Sequence, residues 1–243
     1  MSGIFWLDAA GLAVSLHNTI LLLWLGLTVL VNADKRTWGI WLAGLSLLLA
    51  SIFFVSHTVI LTLGLEPLQA DLDFWWRLGW IPVLVLPFGW YLVVLWYSGY
   101  WETLQAAPRA QRQRGWFILT ALLNVVLIAA LVFAHPLPSF GEVLNLDLSA
   151  TLEIGGIPIL LVGYAADIFL CVVLSLNALL HAAPTSRMMG QLARARARPW
   201  LIGAAMLLLV IGVLVSAVMA WALVSARNAT GSIALMTAIV AWL

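Results

Sequence analysis

The most constraining feature of this sequence is a series of six apolar runs, each long enough to cross a lipid bilayer as a helix. The hydrocarbon core of a bilayer is about 30 Å thick, so a crossing helix needs about 20 mostly apolar residues. Apolar side chains make up 64% of the 243 residues and charged ones 9%, a balance that excludes a water-soluble globular domain. The sequence therefore predicts an all-α, polytopic membrane protein with a single domain over residues 1–243. The predicted spans lie near residues 7–31, 38–63, 77–99, 116–135, 157–181 and 199–225.

A seventh apolar run begins around Ser232 and reaches Leu243. Residues 232–243 would extend about 18 Å as a helix, which is too short to cross a bilayer alone. We expect this run to be the start of a seventh span that continues beyond Leu243. The predicted fold is therefore a bundle of seven transmembrane helices, the last of them truncated.

The charged residues are divided unequally between the two sides of this bundle. The connections on one side hold most of the eleven basic residues, namely Lys35, Arg36, Arg109, Arg112, Arg114, Arg187, Arg194, Arg196 and Arg198. The other side holds only Arg77 and Arg227. Because basic loops stay in the cytoplasm, this division predicts an outside N-terminus and a cytoplasmic C-terminus. The run Arg194, Arg196 and Arg198 is also a candidate site for anionic lipid headgroups.

Several classes of function lack the residues they require. A formal net charge of +1 gives no general attraction to nucleic acid. The one cysteine, Cys171, excludes an intrachain disulfide and a thiolate metal cluster. The sequence also lacks a metalloprotease motif, a phosphate-binding glycine loop, a serine nucleophile elbow and a catalytic carboxylate pair. We therefore predict no catalytic residue, no metal site and no enzyme activity in this chain.

Asp167 is the clearest candidate for a functional residue, because ionisable groups inside a bilayer are costly. It follows the start of the fifth span by about eleven residues, roughly 16 Å, which places it near the midplane. The preceding residues, Gly163 to Ala166, are small except for Tyr164 and allow another helix to approach closely. At that depth Asp167 is protonated, paired with a cation or facing water.

Three further polar residues within the spans are candidates: His17, His57 and Asn124. One hypothesis is that His17 and Asp167 form a buried pair whose proton or ligand occupancy changes helix packing. The alternative is that the histidines and nearby hydroxyls satisfy one another or a backbone carbonyl. No cofactor is predicted, although His17 or His57 could also ligate haem or a chlorophyll-type pigment. Together with Tyr164, these residues form the candidate set for sensing a ligand or a proton.

The third predicted span contains Pro82 and Pro87. Each proline removes a backbone donor and disturbs the preceding turn, so a bend is expected there. The two prolines are therefore the candidate hinge.

Three stretches of the third span carry a family resemblance. They are Arg77-Leu78-Gly79-Trp80-Ile81-Pro82, Pro87-Phe88-Gly89-Trp90-Tyr91 and Trp96-Tyr97-Ser98-Gly99-Tyr100. This pattern resembles the third helix in the N-terminal seven-helix sensor region of bacterial histidine kinases. Asn124 and the segment from Leu174 to Leu180, which an arginine-rich turn follows, are similar in character. The resemblance implies a connection after the seventh helix to cytoplasmic PAS, kinase or cyclase modules. Because this sequence holds no kinase motif, any kinase activity would lie in a C-terminal part outside it.

These observations lead to two expectations about function. The first is a sensory module that couples an intramembrane or lipid-accessible stimulus to a cytoplasmic output. Its partners would be the bilayer and either a second copy of the chain or a larger membrane assembly. The alternative is a non-catalytic subunit of a respiratory or photosynthetic membrane complex that contacts haem, pigment or lipid.

Overall fold

The computed structural model of the chain describes residues 5–33, 38–63, 70–100, 108–134, 139, 152–154, 157–181 and 191–228. These residues form six long helices and one short hairpin. The helices are α1 (Phe5–Val31), α2 (Trp38–Leu63), α3 (Ala70–Tyr97), α4 (Pro108–Phe133), α5 (Ile159–Leu180) and α6 (Gln191–Asn228). The hairpin strands β1 (Glu153–Ile154) and β2 (Ile157–Pro158) lie between α4 and α5.

All six helices contain a segment that is long and apolar enough to cross a membrane. The prediction of a mainly helical chain with six helices able to cross a membrane is therefore confirmed for the described residues. The predicted seventh span, residues 232–243, lies outside the described residues.

Three helices begin earlier than the sequence predicts. The third begins at Ala70 rather than near residue 77, the fourth at Pro108 rather than 116, and the sixth at Gln191 rather than 199. Hydropathy locates only the apolar part of a helix, whereas the helix itself continues where its polar side chains are satisfied. In α3, Arg77 Nε donates to Asp73 Oδ2 at 2.9 Å, one turn earlier on the same face.

The predicted sixth span begins at Pro199, but this residue does not start the helix in the structure. It lies inside α6, where its side chain is exposed. Because proline lacks an N–H, it interrupts the backbone bonding of α6 where the basic first turns meet the apolar body. Pro158 does precede α5 directly, as its N-cap residue.

The hairpin between α4 and α5 is absent from the sequence predictions. Its antiparallel strands pair Glu153 with Pro158 and Ile154 with Ile157. The backbone N–H of Ile159 then donates to the carbonyl of Leu152 at 2.9 Å. The hairpin thus fixes the start of α5. We call this end of the bundle the hairpin end, and the opposite end, where α4 and α6 begin, the basic end.

Helices α3 and α5 form the centre of the bundle. In the apolar segment of each helix, 39% of the residues of α3 and 44% of those of α5 are buried, whereas only 11% of those of α6 are. Helix α1 packs on α2, α2 on α3, α3 on α5 and α5 on α6, while α4 packs against both α3 and α5. The described residues of α2 and α6 do not pack on each other over any length, so a gap separates these two helices.

Glycines allow close helix contacts at several of these interfaces, including those of α5 with α4 and with α6. A Cβ atom on Gly163 of α5 would collide with Leu127 of α4. One on Gly212 of α6 would approach Ile168 Cδ1 of α5 to 2.5 Å. Such contacts are typical of membrane helices, where packing rather than the hydrophobic effect drives association.

Candidate functional site

Two adjoining cavities lie among α2, α3, α5 and α6. The large cavity has a volume of about 580 Å³, within the range of about 300–1,000 Å³ that is common for small-molecule sites. The small cavity has a volume of about 110 Å³. Val83 and Tyr164 line both, so the cavities meet at these two residues.

The large cavity lies nearer the basic end, and its walls are apolar except for Ser46, Trp90 and Tyr164. Its lining residues are Ala43, Ser46, Leu47, Ala50, Val83, Leu86, Pro87, Trp90, Val93, Tyr164, Ile168, Val172 and Leu208. The small cavity lies nearer the hairpin end and is rich in aromatic side chains. Its lining residues are Phe53, Ser56, His57, Ile60, Trp76, Gly79, Trp80, Val83, Leu161, Tyr164 and Val215.

Both cavities are only partly closed on the side of α6. Helix α6 contributes only Leu208 to the large cavity and Val215 to the small one. Since the described parts of α2 and α6 do not pack together, the cavities lie along the gap between these helices. An apolar molecule dissolved in the bilayer would reach the cavities through this gap.

His57 belongs to a polar cluster that joins α1 to α2. Its Nδ1 lies 3.1 Å from Ser15 Oγ. Ser15 Oγ lies 2.8 Å from Thr58 Oγ1 and 3.1 Å from the carbonyl oxygen of Phe54. Thr58 Oγ1 donates to that carbonyl at 2.7 Å. The other ring nitrogen, His57 Nε2, is buried and has no partner among the described residues.

A second polar cluster lies around Asp167 on α5, whose side chain is fully buried. Cys171, one turn further along, has its Sγ 3.6 Å from Asp167 Oδ1, and the Asn124 side chain of α4 also interacts with this carboxyl. Asn124 Nδ2 donates to the carbonyl of Leu84 in α3 at 2.6 Å. Asp167 Oδ2 has no partner among the described residues. The cluster therefore links three helices.

The structure separates the other predicted partner, His17, from both clusters. Its side chain is exposed on α1, whereas Ser15, two residues earlier, is buried against α2. Two residues correspond to a rotation of about 200° around a helix, so His17 faces away from His57. No hydrogen bond joins His17 to Asp167 among the described residues, and the two histidines do not converge on a shared ligand position. The contacts of His57 fit the alternative in which the histidines bond to nearby hydroxyls better than they fit a shared ligand site.

The candidate hinge prolines are both buried within α3, which continues through them. Pro87 lines the large cavity. The bond from Asn124 reaches Leu84, which lies between Pro82 and Pro87. The described structure thus places Pro87 at the large cavity, and it places the segment between the two prolines at the bond from Asn124.

Two of the three candidate lipid-binding arginines have described side chains. Arg196 and Arg198 are exposed, and Arg198 Nη2 donates to the Leu180 carbonyl at 2.8 Å, which satisfies the C-terminal end of α5. The side chain of Arg194 lies outside the described part. Near the same end, burial raises the pKa of Tyr100, and the nearby charge of Arg114 opposes this rise.

Sequence reasoning missed three buried groups. Trp90 Nε1 and Tyr91 Oη have no partner among the described residues, and both sit in a stretch that was singled out only for its resemblance. Cys171 was interpreted only as a lone cysteine, although its spacing of four from Asp167 places both on one helix face. Burial of the two aromatic residues could not be inferred, because no sequence signal marks which face of α3 is central.

Comparison of the chain with protein-family models, with curated proteins and with solved structures finds no match.

Proposed function

We propose that this chain is the membrane-embedded input module of a sensory protein, coupling a stimulus within the bilayer to a cytoplasmic output. The observation that carries the proposal is that Val83 and Pro87 both line the large cavity, one turn apart in α3. Because Pro87 has no N–H, the Val83 carbonyl loses its usual helical donor. A molecule in the cavity would therefore contact a turn of α3 that lacks one of its backbone hydrogen bonds.

The Asp167 cluster supports transmission from this turn to the neighbouring helices. Asn124 links α4 to the Leu84 carbonyl in that turn and also interacts with Asp167 of α5. A change in the conformation of α3 would therefore alter the positions of both α4 and α5. Binding changes the output only if it stabilises one helix arrangement over another, and a tenfold change in population requires about 1.4 kcal/mol.

The proposed orientation puts the N-terminus outside and the basic end in the cytoplasm of a bacterial inner membrane. The exposed Arg114, Arg196 and Arg198 at the described basic end support it. The resemblance of α3 to the sensor region of histidine kinases supports a cytoplasmic output, and such a module would act as a homodimer.

The test follows the distance between two helices at the basic end. Spin labels are placed at exposed Gly115 of α4 and at exposed His181, directly after α5, in a Cys171→Ser background that keeps a hydrogen-bond donor beside Asp167. The distance between the labels is measured by pulsed electron paramagnetic resonance. The full chain is examined in short-chain and long-chain phosphatidylcholine, at acidic and alkaline pH, and with para-octylphenol. We expect at least one condition to shift the distance distribution. Pro87→Ala should suppress the shift, whereas Pro199→Ala, an exposed proline of α6, should retain it.

An unchanged distance under every condition would overturn the proposal. So would purification of the chain from its native membrane in fixed stoichiometry with haem-bearing or pigment-bearing subunits. That second outcome would favour the accessory-subunit alternative, with which the exposed aromatic side chains Trp6, Phe133 and Trp200 are compatible as partner contacts.

A further inference from the structure

The small cavity contains an unpartnered nitrogen in an otherwise apolar setting. His57 lines this cavity, and its Nε2 is buried without a partner among the described residues. Its Nδ1 is held by Ser15 on the side of α1. Nε2 is therefore the ring atom that remains to interact with a molecule in the cavity.

The hydrogens of the surrounding hydroxyls indicate whether His57 Nε2 is a hydrogen-bond donor or an acceptor. The Thr58 hydroxyl donates its only hydrogen to the Phe54 carbonyl. The Ser15 hydroxyl also has one hydrogen, for which the Phe54 carbonyl and Thr58 Oγ1 are both within reach. We assign the Ser15 hydrogen to the Phe54 carbonyl, and with this assignment His57 Nδ1 carries a hydrogen and donates it to Ser15 Oγ. In a neutral imidazole Nε2 is then a hydrogen-bond acceptor.

The surroundings of Nε2 restrict the shape of a ligand. Phe53 lies parallel to the His57 ring with centroids 6.0 Å apart, and Trp80 meets Tyr164 edge to face at 6.4 Å. At about 110 Å³ the small cavity is somewhat smaller than the apolar cavities of about 150 Å³ that bind benzene, but it adjoins the large cavity at Val83 and Tyr164, so a small, flat head fits where the two meet. The large cavity continues from Tyr164 with mainly apolar walls, which suit a hydrocarbon tail.

We infer that the two cavities bind a lipophilic molecule with a hydroxyl-bearing head, whose hydroxyl donates to His57 Nε2 and whose tail occupies the large cavity. The molecule enters from the bilayer through the gap between α2 and α6. The inference deepens the proposed function and rests on it only for the consequence of binding. A hydroxyl in hydrocarbon has no water to bond, so an acceptor at this position selects it over an equally apolar ether.

The test compares two probes that differ in one hydrogen-bond donor, para-octylphenol and its methyl ether para-octylanisole. Binding to the full chain in lipid nanodiscs is measured with radiolabelled probe, and displacement by unlabelled probe separates it from partition into lipid. We expect the phenol to bind about tenfold more tightly than the anisole. This comparison needs no variant and so does not depend on any substitution being tolerated.

Three variants locate the site. His57→Phe keeps an aromatic ring without the acceptor and should reduce phenol affinity about tenfold, to that of the anisole. Ala50→Leu fills part of the large cavity and should weaken both probes. Ala129→Leu makes the same change at an exposed position of α4 and should alter neither.

The outcomes separate this inference from the proposed function. Equal affinity of the two probes, or unchanged selectivity in His57→Phe, overturns the ligand class while leaving another stimulus open to the sensor. Cross-linking of a cysteine at position 50 to one within residues 229–243 also overturns it, because the chain itself would then cover the opening. Selective phenol binding without any change in the distance from α4 to α5 supports the site and contradicts its coupling to an output.

Discussion

Single buried polar side chains in this bundle fall into two groups with different consequences. Most of the buried hydroxyls bond within their own helix, as Thr19 does to the Ser15 carbonyl at 3.0 Å and Ser175 to the Cys171 carbonyl at 2.7 Å. Such bonds satisfy the hydroxyl without connecting helices. A few side chains bond across helices, and those determine how neighbouring helices are held. They include Ser15 with His57, Ser56 with the Trp75 carbonyl, and Asn124 with the Leu84 carbonyl.

Asn124→Leu should destabilise the bundle because it removes the bond to the Leu84 carbonyl while keeping a similar volume. Hydrogen bonds between membrane helices contribute about 0.6 kcal/mol on average and at most about 1.7 kcal/mol, so we expect a loss of about 1 kcal/mol. The free energy of unfolding is measured on the purified chain in mixed micelles, in which the fraction of sodium dodecyl sulfate is increased stepwise. Asn177→Leu, at an exposed position of α5, is the matched control and should be neutral. Equal stability of the two variants would mean that the Asn124 bond contributes nothing net.

The tautomer of His57 is open to direct observation. In nitrogen NMR of the chain labelled at histidine, we expect a protonated Nδ1 and an unprotonated Nε2 for this residue, because we assign the Ser15 hydrogen to the Phe54 carbonyl. The spectrum of His57→Phe assigns the signal. Ser15→Ala removes the partner of Nδ1 and should leave a mixture of the two neutral tautomers. A protonated Nε2 in the unmodified chain would contradict the assignment.

Individual helices show how far the sequence predicts this structure. Apolar length located all six described spans, since a membrane span has to cover a fixed thickness. The starts of α3, α4 and α6 were predicted late because charged turns, such as that of Asp73 and Arg77, continue a helix without adding hydropathy. Asp167 and Asn124 were identified by their cost inside a bilayer, but their proximity depends on the rotation of α4 and α5, which weak amphipathicity leaves undetermined. For the same reason the cavities could not be predicted.

Gly39 is one of the glycines that allow α2 and α3 to pack closely. A Cβ atom at Gly39 would overlap the Trp96 indole, whose rigid ring has little freedom to move away. Gly39→Ala should therefore cost about 1–3 kcal/mol of stability, the usual cost of overpacking. At Gly203 of α6 an added Cβ meets nothing within 4 Å, so Gly203→Ala should stabilise its helix by about 0.5–1 kcal/mol. The same detergent titration compares the two, and a neutral Gly39→Ala would show that α2 and α3 are not this closely packed.

The arrangement of the six helices explains why the bundle has a lateral opening. Helices α3 and α5 are surrounded by neighbours, whereas α2 and α6 each pack against one side of this central pair. Since the described parts of α2 and α6 make little contact, the cavities open sideways between these two helices. A stimulus that uses this route must be soluble in lipid, which agrees with the apolar walls of the large cavity.

The orientation of the bundle in the membrane determines whether a conformational change at the basic end can reach cytoplasmic proteins. The basic residues favour a cytoplasmic basic end, so single cysteines on the two sides should differ in access. In a Cys171→Ala background, Ser149→Cys should react with a membrane-impermeant maleimide on intact cells, and Gln111→Cys only after permeabilisation. Neither change alters a charge, so the variants keep the distribution that sets the orientation. Labelling of Gln111→Cys on intact cells would place the arginines outside, and the proposed coupling to a cytoplasmic output would then fail even if the cavities bind their ligand.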